Sequence, residues 1–239
     1  MENIRILDWD SEFFGYSIAS VTAGEMNADI LDGITGELRS KGIKLAYVFV
    51  SPDDKISNDL LESRGVFLAD EKVTFSRLSM GENELPDSSN IVPYNSVSYS
   101  EKLVSLTLQS GIYSRFKVDP LFRNNEFERL YTEWIRKSVS RQIAEEVLVY
   151  KEQDEIYGFI TLAIHDSVGS IGLIAVDETQ RGKAIGKKLI GAAMNFFHEK
   201  EMVNVDVVTQ KANYVACRFY ESCGFRIKSI VNIYHLWIS

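Results

Sequence analysis

The sequence predicts an α/β chain built on a mixed sheet and divided into two parts. Three observations carry this. Short apolar runs alternate with amphipathic helical stretches in both halves. A polar stretch from Leu78 to Ser96, with Pro86 and Pro93 and no hydrophobic period, separates them as a linker or long loop. Near the C-terminal end, a strand, a long helix and a second strand over 170–209 form one parallel crossover unit, after a pair of strands that reads as a hairpin. The expected organisation is a smaller α/β domain over 1–85 and a larger domain over 86–239.

Taken in order, "IRILDW" and "FGYSIASVTA" read as strands. Ala28 to Ser40 reads as a helix with Ile30, Leu31, Ile34 and Leu38 on one face. "KLAYVFVS" is nearly continuously apolar, as in a strand covered on both faces. Asp53 to Ser63 reads as a short helix and "VTFSRLS" as a strand. Beyond the polar stretch come a helix over Ser100–Gln109, a loop containing "YSRFKVDPLF" and a helix over Asn125–Val139. "EVLVYKE" and "EIYGFITLAIH" flank Gln153 and Asp154 as a hairpin, and "VGSIGLIAV" is the next strand. Gly182 to Glu199 reads as a long helix with Ile185, Leu189, Ala193, Phe196 and Phe197 inward. "VNVDVVT" is a strand, Asn213 to Ser222 a helix and "NIYHLWI" a closing strand.

The bulk composition excludes several classes. The chain has 239 residues, a hydrophobic fraction of 45% and a formal net charge of −8. That balance argues against general nucleic-acid binding, which needs a basic face. No apolar run reaches the roughly 18 to 20 residues of a membrane span, and "MENIRILDWDSEFF" lacks the basic-then-apolar pattern of a signal peptide. A cytoplasmic setting is expected. Cys217 and Cys223 fit neither a zinc site nor a disulfide framework. His165, His198 and His235 share no metal-ligand spacing, so no metal is expected.

Against this acidic background, "ETQRGKAIGKKL" over Glu178–Leu189 gathers Arg181, Lys183, Lys187 and Lys188 with two glycines between a strand and a helix start. A first helical turn has N–H groups without internal partners and a positive dipole end. Glycine lets the main chain approach a ligand closely. The combination suits phosphate or pyrophosphate, although a capped helix with a solvated basic face accounts for the same residues. It is neither a Walker loop nor a Rossmann fingerprint. The pattern Arg181-Gly182-Lys183-Ala184-Ile185-Gly186 instead resembles the GNAT acetyltransferase superfamily, with Ala184 where glycine is commoner. "VNVDVVTQKANYVACRFYESCGF" resembles that family's next strand and helix. The resemblance implies a mainly antiparallel mixed central sheet flanked by helices, and a loop over Arg181, Gly182, Lys183, Ala184, Ile185, Gly186 and Lys187 that holds the pyrophosphate of acetyl-CoA. It further implies that Asn213 faces the cofactor and that Tyr220 protonates the departing thiolate. A core aromatic four residues from Ala216 is the competing reading of Tyr220. The strand before the loop, at Ile174, Ala175 and Val176, would pair with the pantetheine arm and offer an N–H to the thioester oxygen.

"ILDWDSEFFGY", "SGIYSRFKVDPLF" and "FERLYTEWIRKSV" together resemble the TDP-fucosamine acetyltransferases. This implies a nucleotide-linked 4-amino-4,6-dideoxyhexose, such as a dTDP-amino sugar, as acceptor. Arg115 becomes a candidate for a phosphate contact, with a surface arginine as the alternative. Asp70, beside Glu71, stands near where that family has a carboxylate suggested to accept the amine proton through water; an exposed turn is the other reading of this pair. The expected chemistry is direct attack of a neutral amine in a ternary complex. Cys217 stays open as a nucleophile. Other acceptors remain open too: a peptide N-terminus, a polyamine or an antibiotic amine. So does a module that binds acyl-CoA without turnover. The exposed sheet edges expected of such a fold are compatible with a homodimer.

Overall fold

A computed structural model describes residues 3–22, 24–79, 90–96 and 98–238. The boundary expected between residues 85 and 86, with most of the polar stretch around it, lies outside the described residues. The chain forms two compact units. The first comprises residues 1–73, 210–212 and 229–239, and the second residues 74–209 and 213–228.

In the first unit, β1 (Asn3–Ile6), β2 (Ile18–Thr22) and β3 (Leu45–Val50) are followed in the sheet by β10 (Arg226–Trp237). β2 and β3 are parallel; the β1–β2 and β3–β10 pairs are antiparallel. The continuous apolar run of β3 is buried as its composition requires. Ala46, Val48 and Val50 join Ala19, Val21 and Tyr234 in a core closed by Leu31, Ile34 and Leu38 of α2 (Ala28–Ser40) and Leu61 of α3 (Lys55–Ser63). Asn27 and Asp54 cap these two helices with side-chain oxygens.

Two expectations change here. Asp8 and Trp9, read as the end of the first strand, and Phe14, read as the start of the second, lie instead in helix α1 (Asp8–Phe14). Ser11 is the cause: its hydroxyl donates to the Leu7 carbonyl at 2.7 Å and accepts the Ile18 N–H at 2.9 Å, which tethers the helix to the next strand. Asp8 and Asp10 sit in its first turn, where negative charge is favourable. The strand expected at "VTFSRLS" starts earlier, as β4 (Phe67–Leu78), so Asp70 and Glu71 lie in a strand rather than an exposed turn.

The second unit orders its strands as β4 from Thr74 onward, β9 (Asn204–Gln210), β8 (Val168–Val176), β7 (Glu155–His165), β6 (Glu146–Glu152) and β5 (Ile91–Pro93). The run from β5 to β8 is antiparallel and β8–β9 is parallel, so the sheet is mixed and mainly antiparallel. Gln153 and Asp154 turn the β6–β7 hairpin with φ of 48° and 69°, the left-handed values that a tight two-residue turn needs. The parallel pair is joined by α7 (Ile185–Glu199), the crossover read from the sequence. Leu103 and Leu106 of α4 (Glu101–Ser110), with Ile135 and Val139 of α6 (Glu126–Val139), pack on Val147, Val149, Phe159 and Ala175. Between them, "RFKV" makes one helical turn, α5 (Arg115–Val118), capped by Ser114. α8 (Tyr214–Ser222) completes the unit.

Candidate functional site

The site is built where β8 ends. The parallel ladder between β8 and β9 runs from Gly169–Val205 to Ile171–Val207, and both strands continue past it. Over that continuation β8 remains paired with β7, through Ile160–Ile174, Phe159–Ala175 and Gly158–Val176. Hydrogen bonds fix which groups face which way. The Asp177 N–H donates to the Tyr157 carbonyl at 2.8 Å, and the Leu173 N–H to Thr161 Oγ1 at 2.8 Å. Alternation along a strand then directs the N–H of Ala175 toward β7, and the backbone groups of Ile174 and Val176 away from it. Of the three residues named from the sequence, Ile174 and Val176 therefore present main chain on the β9 side, whereas Ala175 is engaged in the ladder and buried.

Asp177 then turns the chain. Its carboxylate accepts from the Thr179 N–H at 2.9 Å and from the Thr179 hydroxyl at 2.6 Å, capping a 3-10 turn over Glu178–Gln180. Lys102 of α4 donates to the same carboxylate. The lysine and the two threonine donors hold the Asp177 carboxyl well below its ordinary 3.8, at about 2. Past this anchor the loop is exposed and basic. Arg181 reaches back to the Val176 carbonyl at 3.4 Å, and Lys183 donates to Gln180 Oε1 at 2.6 Å. Gly182 is left-handed, with φ of 83°, and nothing lies within 4 Å of where a side chain would begin.

Helix α7 begins three residues later than expected, because Ala184 adopts φ 60° and ψ 9° and serves as the cap. Alanine has no side-chain oxygen, so no side chain caps the first turn. Ile185 is buried; Lys187 is exposed. Gly186 is a place of close approach: a Cβ there would lie 3.0 and 3.1 Å from ring atoms of Phe219, and 3.8 Å from Val176 Cγ2. The end of β8, the first turn of α7 and helix α8 thus meet at one point, which shows what the glycine is for.

Helix α8 carries the two remaining candidates of this unit. Asn213 is its cap, and its side-chain oxygen accepts the Ala216 N–H at 3.1 Å. Tyr220 is 5% exposed and packs among Phe75, Phe219 and Phe225, with ring centroids at 5.8, 5.5 and 6.0 Å. Burial first, then Cys223 and Cys217, pushes the phenol far above its usual pKa, so it keeps its proton. Burial also pushes the Cys217 thiol up, with Glu221 adding to it. That disfavours the thiolate a nucleophile needs.

Arg115 opens α5, with its guanidinium 4.7 Å from the centre of the Phe116 ring. Asp70 belongs to the first unit, on β4, and is 9% exposed; its neighbour Glu71 accepts from Lys211 Nζ at 2.6 Å. His235 is buried against Tyr47, with ring centroids 5.1 Å apart. Among the described residues no group of three or more His, Cys, Asp or Glu could hold a metal ion, and no helix is long and apolar enough to cross a membrane.

The sequence pattern gives no role to Asp177 or Lys102. The Asp-x-Thr spacing of 177–179 is a local turn signal that could have flagged the first. Lys102 lies 75 residues from its partner, so no local pattern exposes it.

Residues 112–225 match the model of the Acetyltransferase (GNAT) family. The dTDP-fucosamine acetyltransferase of Escherichia coli is 24% identical over 231 residues, 95% of each chain. The spore coat polysaccharide biosynthesis protein SpsD of Bacillus subtilis is 26% identical over 138 residues, which are 58% of this chain and 47% of that one. Among solved structures, a GCN5-related N-acetyltransferase from Sphaerobacter thermophilus superposes with a TM-score of 0.63 at 13% identity. That likeness covers 99% of this chain and 76% of the other, and it concerns the fold.

Proposed function

We propose that this chain, whose residues 112–225 match the model of the Acetyltransferase (GNAT) family, transfers an acetyl group from acetyl-CoA to the amine of a nucleotide-linked amino-dideoxy sugar. The reading of the donor rests on the first turn of α7. Its N–H groups lack a side-chain cap and adjoin Arg181, Lys183 and Lys187, which suits a pyrophosphate. When bound, acetyl-CoA supplies the activated acyl group. The main chain of Ile174 and Val176, free of β7, is suited to a peptide-like pantetheine arm and to the thioester oxygen as it gains negative charge.

The proposed reaction is direct. The amine nitrogen forms the new C–N bond, the C–S bond breaks, and CoA leaves as the thiol. Tyr220 is the proposed donor of the proton to sulfur. Asp70 is the proposed acceptor of the amine proton, and Arg115 a proposed contact for the phosphates of the acceptor.

The choice of acceptor rests on one observation: the 24% identity to dTDP-fucosamine acetyltransferase extends over 95% of both chains. The named role of the spore coat relative is compatible with a product destined for a surface polysaccharide. The test is release of CoA thiol from acetyl-CoA with a dTDP-4-amino-4,6-dideoxyhexose, spermidine, an aminoglycoside and a peptide. Turnover confined to the nucleotide sugar is the expected result. Turnover only with another amine would remove the sugar reading and keep the donor.

A further inference from the structure

We propose that Lys102 is a positioning residue for the phosphate-binding loop: from helix α4 it neutralises the Asp177 carboxylate at the root of the loop, so that the first turn of α7 can accept an anion. This rests on the acetyl-CoA reading and adds a residue that lies outside the family match over 112–225.

The argument is one of charge and geometry. Every polar group of Asp177 is engaged. Its N–H donates to Tyr157, its carbonyl accepts from the Gln180 N–H at 2.9 Å, and its carboxylate accepts twice from Thr179. The loop therefore leaves the sheet in a direction set by one carboxylate, and that carboxylate is 9% exposed. A nearly buried negative charge beside a site meant for phosphates would repel them, because little water lies between to screen it. Lys102 supplies the opposite charge from a different element, with its ammonium also 5.9 Å from the centre of the Tyr157 ring. α4 itself is fixed by Leu103 and Leu106 in the core and by the Ser100 cap, so the ammonium is delivered from a rigid base.

The test is calorimetric binding of CoA, with steady-state kinetics in acetyl-CoA. Lys102→Met is expected to weaken CoA binding and raise the KM for acetyl-CoA about tenfold, a figure equivalent to ~1.4 kcal/mol, while kcat stays within about threefold. Lys102→Arg is expected to recover most of the affinity. The double variant Lys102→Met/Asp177→Asn separates charge from tethering. Removing the carboxylate as well should recover affinity relative to Lys102→Met alone, and a purely mechanical tie would give no recovery. Should Lys102→Met fail to fold, Lys102→Gln reads the same loss of charge in a side chain that still donates. Unaltered CoA binding in Lys102→Met, or no recovery in the double variant, would overturn the assignment. Absence of CoA binding by the unmodified protein would instead overturn the acetyl-CoA reading on which it rests.

Discussion

The starts of α7 and α8 differ although both helices follow a strand. At α8 the Asn213 oxygen accepts the Ala216 N–H at 3.1 Å, and the helix is satisfied within the chain. α2, α3 and α4 are closed the same way by Asn27, Asp54 and Ser100. At α7 the capping position is Ala184, with nothing to accept a hydrogen bond, and Gly182 two residues before it leaves open space. Helix starts leave donors unpaired in any protein, and the usual remedy is a short polar side chain. Where that remedy is missing beside three basic side chains, the donors are available to a ligand. On the proposed reading, the difference separates a helix start that serves stability from one that serves binding.

The comparison can be broken at several points. Tyr220→Phe removes the proposed proton donor and leaves both helix starts intact. It should lower kcat by about 10²–10⁴-fold with CoA affinity unchanged, measured by thiol release and calorimetry; unchanged turnover would remove the acid role. Gly186→Val drives a side chain into the Phe219 ring, already 3.0 Å from a Cβ. Overpacking of this kind costs about 1–3 kcal/mol, and CoA binding should fall by at least ~10-fold as α7 and α8 are pushed apart; calorimetry and thermal melting read both. Asn213→Ala should lower stability by about 1 kcal/mol through loss of the cap. Asn213→Asp keeps a capping oxygen, so a CoA affinity that drops in both variants would show that the amide also meets the cofactor. Gly182→Ala meets no neighbour but must hold φ of 83°, a cost of about 1 kcal/mol, with only a few-fold loss of CoA binding.

Acid sharpens the comparison further. The Asp177 carboxyl titrates at about 2 rather than 3.8. A depressed carboxyl contributes stability that is complete above its ordinary value and is lost as pH falls through the folded one. Thermal melting should therefore show a loss between about pH 4 and pH 2 that Asp177→Asn reduces.

Much of this is legible in the sequence alone. The β6–β7 hairpin, the crossover through α7 and the basic loop all announced themselves through local patterns of apolar period, turn residues and charge. What stayed hidden depended on contacts distant in sequence or on one side chain acting out of type. "DWDSEFF" contains no strong helix signal, and Ser11 decides its fate by bonding to Leu7 and Ile18. β4 absorbs Asp70 and Glu71 because Lys211, far along the chain, donates its N–H to the Glu71 carbonyl at 2.9 Å. In the site, the motif identified the loop but not its anchor. Asp177 is paired with Lys102 from another helix, and the orientation of Ile174 and Val176 follows from ladder bonds that no spacing reveals.

The most direct test of the uncapped start of α7 is a residue-resolved titration of the backbone amides of isotope-labelled protein with CoA. The account predicts that the largest shifts fall on Gly182 to Lys187, with the capped Ala216 amide at the start of α8 little changed. Shifts absent from Gly182 to Lys187, with CoA demonstrably bound, would contradict it.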